Sequence, residues 1–292
     1  MKKPIFTGSG VAIITPFKDG GIDFNKFEEL INWHIAEGTD AIIVCGTTGE
    51  SATLPMEEHK ALIQFCVEKV NHRVPVIAGA GSNDTRHAIG TTKFAEEAGA
   101  DAILSVVPYY NKATQKGLYE HFKAIAKSTS LPIILYNVPS RTVLNMSPQT
   151  VYELSKIPNI TAIKECDFSH VGEIRKLCGP DFHIYSGEDG NVVPLLAMGG
   201  QGVISVMANI IPKDTHKMVD LFMKGQIEAS RDLQLKVLDL VHALFIEASP
   251  SPIKEAMNML GMNVGHCRLP MVDMEEENKV ILKKALKDYG LL

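Results

Sequence analysis

Eight short apolar runs, rich in β-branched residues, recur along the first two-thirds of the chain, and this repeat restricts the fold more than any other feature. They occupy residues 11–15, 41–45, 75–79, 102–107, 132–136, 160–164, 183–186 and 202–206. Continuously apolar rather than alternating strands are buried on both faces, which is the condition of parallel strands covered by helices. Helical periodicity fills the intervals. Asp23 can cap a helix that buries Phe27, Leu30, Ile31 and His34 and stops at Gly38. The segment after Pro55 places Leu62, Phe65, Cys66 and Val70 on one stripe, and Asn83 and Asp84 open a helix that ends at Gly99.

A doubly wound open sheet is the structural competitor. It would normally carry a GxGxxG turn after its first strand, and here that strand leads into Ile14-Thr15-Pro16-Phe17. Eight strand-helix alternations instead predict an α/β fold, an eight-stranded TIM barrel. After Pro212 the strand signal stops, and helices are predicted over 214–224, 227–247, 253–260 and 275–289. A chain of 292 residues suggests two domains on length alone, but such barrels run to about 250 residues as one unit. The expected organisation is a catalytic barrel over 1–224 and a C-terminal helical region, 225–292, packed on it.

Composition narrows the partners. With 29 Lys plus Arg against 34 Asp plus Glu the net charge is −5, which leaves no basic surplus for nucleic acid or an anionic membrane surface. No apolar run approaches the roughly 18 residues of a membrane span. Lys2 and Lys3 are followed by a segment broken at Thr7 and Ser9, so no signal peptide is expected. Five cysteines (Cys45, Cys66, Cys166, Cys178 and Cys267) without a CxxC pair read as reduced thiols of a cytoplasmic protein. Cys45 and Cys166 read as buried inert thiols. Ten histidines show no HExxH or similar spacing, and no metal is expected.

In barrels of this kind the chemistry collects at the carboxyl ends of the strands. The sixth run ends Ile163-Lys164-Glu165. A lysine closing an apolar strand either reaches the solvated rim or is a buried amine, with Ala162 on the same face leaving room beside it. The fifth run ends at Tyr136, on the strand next to Lys164, where a phenol either closes the core or relays protons. The second run leads into Gly46-Thr47-Thr48-Gly49, which is either a tight turn or a cradle of hydroxyl and N–H groups for a carboxylate. Arg141, in the loop after Tyr136, suits either a surface ion pair or a substrate carboxylate. Together these residues describe a Schiff-base site for a 2-keto acid, in which the imine is itself the electron sink and no cofactor is needed.

The motifs GTTGES at 46–51, VPYYNK at 107–112, YNVPSRT at 136–142 and IKE at 163–165 resemble the 4-hydroxy-tetrahydrodipicolinate synthase (dihydrodipicolinate synthase) family. That family belongs to the N-acetylneuraminate lyase superfamily, and the likeness extends over essentially the whole chain. It implies a carbon-oxygen lyase that condenses pyruvate with L-aspartate 4-semialdehyde, the first committed step of the diaminopimelate route to lysine. By the resemblance, Lys164 forms the pyruvate imine, and Tyr136, Thr47 and Tyr110 relay protons, Tyr110 across a tight dimer. Thr48 holds the pyruvate carboxylate, Arg141 the semialdehyde carboxylate or the entrance, and Gly187, Glu188 and Ile204 line the site. A homotetramer built as a dimer of dimers is implied as well.

One region departs from the family pattern. Many members bind lysine at the dimer interface, and the corresponding residues here are Ser51, Ala52, Met56, His59, Asn83, His87 and Tyr109. Met56 replaces a histidine and His87 a glutamate of the Gram-negative pattern. Loss of the anionic partner removes a charge-assisted bond of about 1.5–3 kcal/mol, so feedback insensitivity is expected. The competing readings are a sister lyase acting on N-acetylneuraminate or 2-keto-3-deoxygluconate, a non-catalytic keto-acid-binding barrel, and a metal-dependent aldolase. The first shares Lys164, Tyr136 and the threonine loop, and the Ser140-Arg141-Thr142 context favours a short acidic aldehyde over a polyol.

Overall fold

The computed structural model describes residues 3–292. Met1 and Lys2, on which part of the N-terminal reading rests, lie outside the described residues. The eight parallel strands are β1 (Gly8–Ala12), β2 (Ala41–Val44), β3 (Val76–Gly79), β4 (Ala102–Val106), β5 (Ile133–Asn137), β6 (Ile160–Glu165), β7 (His183–Ser186) and β8 (Gly202–Ser205). They pair in chain order, and β8 pairs with β1 to close the barrel. Helices α1 (Phe24–Ala36), α2 (Met56–Val70), α3 (Thr85–Glu97), α4 (Gln115–Ala126), α5 (Pro148–Ser155), α6 (Phe168–Cys178), α7 (Val192–Ala197) and α8 (Pro212–Met223) follow the successive strands. Asp23 and Asp84 cap α1 and α3 by accepting from Lys26 N–H and Arg86 N–H.

Strand alternation sorts the core into two layers. One face of each strand meets the helices, where Ile42, Phe27, Ile31 and Leu62 share a large apolar cluster. The other face fills the barrel with Ile43, Ile77, Leu104, Ile134, Ala162 and Ile204. In the same interior cluster the Phe6 and Tyr185 rings stack at 4.4 Å, and the Tyr185 hydroxyl donates to the Phe6 carbonyl at 2.7 Å. The polar tip of Tyr185 is thereby satisfied inside an apolar layer.

The first strand lies three residues earlier than its apolar run. Glycine and serine at 8–10 hide it from propensity, yet the barrel requires them: a β-carbon on Gly10 would stand 2.7 Å from Ile43 Cδ1 and 2.8 Å from Phe6 Cζ. Past the strand's end, Ile13 N–H still donates to Ile43 O at 3.2 Å, and Ile14 N–H turns away to Asn209 Oδ1 at 3.2 Å.

Beyond α8 the chain forms α9 (Ile227–Leu244), α10 (Ser251–Met259) and α11 (Glu276–Tyr289). On α9, Val237, Leu240, Val241 and Leu244 are buried. The Ser230 hydroxyl of α9 donates to Met218 O at 2.6 Å, and that of Tyr289 in α11 to Asp214 Oδ2 at 2.6 Å, so both helices are tied to α8. Among the described residues no helix is long and apolar enough to cross a membrane.

Candidate active site

The strand register brings the site together. Tyr136 on β5 pairs directly with Lys164 on β6, which pairs with Tyr185 on β7. Ile163 and Glu165 lie on the helix-facing side, so Lys164 projects from the same face as Ala162. Lys164 is 5% exposed, and its Nζ lies 4.4 Å from the centre of the Tyr136 ring. Burial pushes the Tyr136 phenol above its usual value, while the nearby Lys164 charge and a side-chain hydrogen bond with Thr47 oppose that rise.

Thr47 and Thr48 sit in a turn that Glu50 N–H closes onto the Thr47 carbonyl at 3.0 Å. The Thr15 hydroxyl donates to the Gly49 carbonyl at 2.7 Å and fixes the turn to the segment after β1. On the opposite side, Gly187 follows β7 and donates its N–H to Glu165 O at 2.8 Å. A β-carbon there would fall 2.3 Å from Cys166 Sγ and 3.2 Å from Lys164 Cε, so only glycine leaves the lysine room. Burial, and then Asp189, raise the Glu188 carboxyl, whereas a Cys166 hydrogen bond and the Lys164 charge lower it. Burial holds the Cys45 and Cys166 thiols in the neutral form.

Seven of the residues singled out in the sequence line one cavity of about 310 Å³: Lys164, Tyr136, Thr47, Thr48, Arg141, Gly187 and Glu188. Two do not. Ile204 is fully buried inside the barrel, and the wall at this strand end is Val206, two residues further on. Tyr110 is 89% exposed, with a left-handed φ of 72°, and is not part of its own chain's cavity. Phe245 and Ser249, from the segment between α9 and α10, also line it, and Ser249 O accepts from Arg141 Nη2 at 2.9 Å. These two lay in a helical tail whose pattern carries no strand-end signal.

A second cavity, of about 500 Å³, is lined by all of Ser51, Ala52, Met56, His59, Asn83, His87 and Tyr109. Thr47, Val138 and Arg141 line both cavities. His59 Nε2 lies 2.7 Å from Gly79 O, and burial lowers the affinity of its ring for a second proton. Among the described residues no cluster of three or more His, Cys, Asp or Glu side chains is placed to hold a metal ion.

An eight-stranded α/β barrel with a buried amine and phenol at the carboxyl ends of its strands belongs to the enzymes of the (β/α)8 class. The model of the dihydrodipicolinate synthetase family matches residues 5–289, and the chain belongs to that family. It is 64% identical over 292 residues to the 4-hydroxy-tetrahydrodipicolinate synthase of Acetivibrio thermocellus, covering 100% of both chains. The dihydrodipicolinate synthase structure from Aquifex aeolicus superposes with a TM-score of 0.96 at 46% identity, covering 98% of this chain and 99% of that one. The enzyme from Cyanidioschyzon merolae, solved with lysine bound, gives a TM-score of 0.96 at 41% identity over 99% and 100% of the two chains. The chain is therefore an enzyme, a lyase of lysine and diaminopimelate biosynthesis.

Proposed function

We propose that this enzyme condenses pyruvate with L-aspartate 4-semialdehyde to 4-hydroxy-tetrahydrodipicolinate through an imine on Lys164. The observation that carries the reading is the buried Lys164 amine beside the Tyr136 phenol in an open cavity, and the names of the relatives agree with it. The amine adds to the C2 carbonyl of pyruvate and water leaves. Loss of a methyl proton gives an enamine, whose carbon adds to the aldehyde. The amine of the semialdehyde then closes on C2 and releases Lys164. The protonated imine takes up the electron pair when the methyl proton leaves, and the enamine returns it to the new carbon–carbon bond as the aldehyde oxygen gains a proton, so neither metal nor organic cofactor is required.

Tyr136 and Thr47 move the protons within one chain. Tyr110, outside its own cavity, completes the relay in a second copy across the tight dimer of a homotetramer. The Thr48 N–H holds the pyruvate carboxylate, and Arg141 at the rim holds that of the semialdehyde. Gly187 and Glu188 shape the far wall. The larger cavity, with His87 where the family pattern has a glutamate and Met56 where it has a histidine, leaves the enzyme insensitive to lysine. The protein works in the cytoplasm.

Borohydride reduction in the presence of pyruvate, followed by peptide mass spectrometry, tests the imine: an adduct is expected on Lys164, and its absence overturns the mechanism. A coupled assay with the next reductase tests the substrate. Higher efficiency in cleaving N-acetylneuraminate or 2-keto-3-deoxygluconate would assign the chain to a sister activity instead.

A further inference from the structure

The C-terminal helices reach the threonine turn through a charge pair that is out of contact with water. Lys254 of α10 places its Nζ 2.5 Å from Glu50 Oε1, and the two side chains are 2% and 1% exposed. Lys254 Nζ also donates to His266 O at 3.1 Å and lies 4.2 Å from the centre of the Phe17 ring. Glu50 Oε2 accepts from Arg268 N–H at 2.9 Å, so both oxygens of the carboxylate are held by the tail. Arg268 is itself fixed by Glu58 and by the other contact on Phe17, at 4.2 Å.

Glu50 is the residue whose N–H closes the turn around Thr47, Thr48 and Gly49. Its backbone is left-handed, with φ 57° and ψ 34°, a conformation that a residue with a β-carbon does not hold without surrounding restraint. A buried ion pair is a poor source of net stability, because an apolar pair of similar volume usually does as well. What the charges add is direction: one carboxylate oxygen for Lys254 and one for the Arg268 N–H admit a single placement of Glu50. Burial lowers the Lys254 amine below its usual value while Glu50 opposes the change, as expected of a pair that depends on its partner.

We propose that the Lys254–Glu50 pair is a positioning element of the active site, by which the C-terminal helices set the Thr47–Thr48 turn for the keto-acid carboxylate. Neither residue touches substrate, and the proposal rests on the imine reading given above.

The test uses the full chain carrying Lys254→Met, Glu50→Gln or both, with Tyr289→Phe as a control that loosens the tail on α8 away from the site. The readout is the pyruvate concentration for half-maximal borohydride trapping on Lys164, beside the melting temperature. Each single variant is expected to raise that concentration about ten-fold or more. The double variant should be no worse than the worse single one, because both remove one interaction. Tyr289→Phe should lower the melting temperature and leave the concentration unchanged. A folded Lys254→Met with the wild-type concentration overturns the proposal. If Lys254→Met does not fold, Glu50→Gln, which keeps an acceptor for Arg268 N–H, decides by the same measure. An unmodified wild type would sink the imine reading alone; the KM for pyruvate in product formation, read against an unchanged kcat, then decides the positioning role.

Discussion

Lys164 and Tyr136 stand opposite each other in strand register, with the amine 4.4 Å from the ring centre. Both are carried by hydrogen-bonded strands rather than by loops, so their separation is fixed by the ladder and not by side-chain search. A pair preorganised on rigid elements has little left to adjust during reaction.

That placement separates two functions by mutation. Lys164→Ala should abolish borohydride trapping. Tyr136→Phe should still form the adduct, more slowly, and lose about 10²–10⁴-fold in turnover, the usual range for a lost proton carrier. Rapid-quench trapping beside steady-state rates measures both. Wild-type turnover in Tyr136→Phe would remove the phenol from the mechanism.

Gly187→Ala should destabilise the protein by about 1–3 kcal/mol, the common cost of overpacking, and slow trapping, because the new methyl meets Cys166 Sγ first and Lys164 Cε next. Combining it with Cys166→Ala removes the closest contact and should restore part of both losses. Urea unfolding and adduct formation give the comparison. A double variant no better than Gly187→Ala would place the strain elsewhere.

Glu165 predicts a pH dependence. Burial pushes its carboxyl from 4.5 up to about 8, with Asp167 N–H and Asn137 Nδ2 bonding one oxygen and no partner at the other among the described residues. The folded state therefore holds a proton that the unfolded state has released. This contribution to stability is complete below about pH 4.5 and is lost as pH rises to about 8. Glu165→Gln should flatten that fall, and the difference between the two unfolding curves across this range isolates the group. Parallel curves would show that Glu165 does not titrate there.

Lysine at about 1 mM should leave the rate unchanged, since His87 stands where the family pattern has a glutamate, and Asp84, the carboxylate that does line this cavity, is engaged in capping α3 through Arg86 N–H. His87→Glu, alone or with Met56→His, should introduce inhibition. Inhibition of the wild type at sub-millimolar lysine would show that the remaining lining residues suffice.

The barrel was legible because eight two-sided apolar runs leave few other ways to bury them. Lys164, Tyr136 and the threonine turn were legible for a different reason: polar residues ending apolar strands stand out from their surroundings. Ile204 shows the limit of this reading. At its strand end an isoleucine and a valine alternate between interior and cavity wall, and composition does not distinguish them. The shifted first strand is a similar case, since Gly8 is demanded by Asp40 and Gly10 by Ile43 and Phe6, through tertiary packing and not by local propensity. Phe245, Ser249, Lys254 and Gln234 carry no local sequence signal, because long-range docking, rather than periodicity, brings them to the loops. Gln234 Nε2, for example, donates to Asp189 O at 3.0 Å.

Thr47, Val138 and Arg141 form a common wall between the two cavities. A molecule that moves this wall from one side changes what the other side can accept, and the effect must be equal in both directions. Saturating the reaction site with keto acid is thus also a way of reading out the larger cavity: a ligand found there by screening would reveal itself through an altered pyruvate affinity, whether or not it slows the reaction.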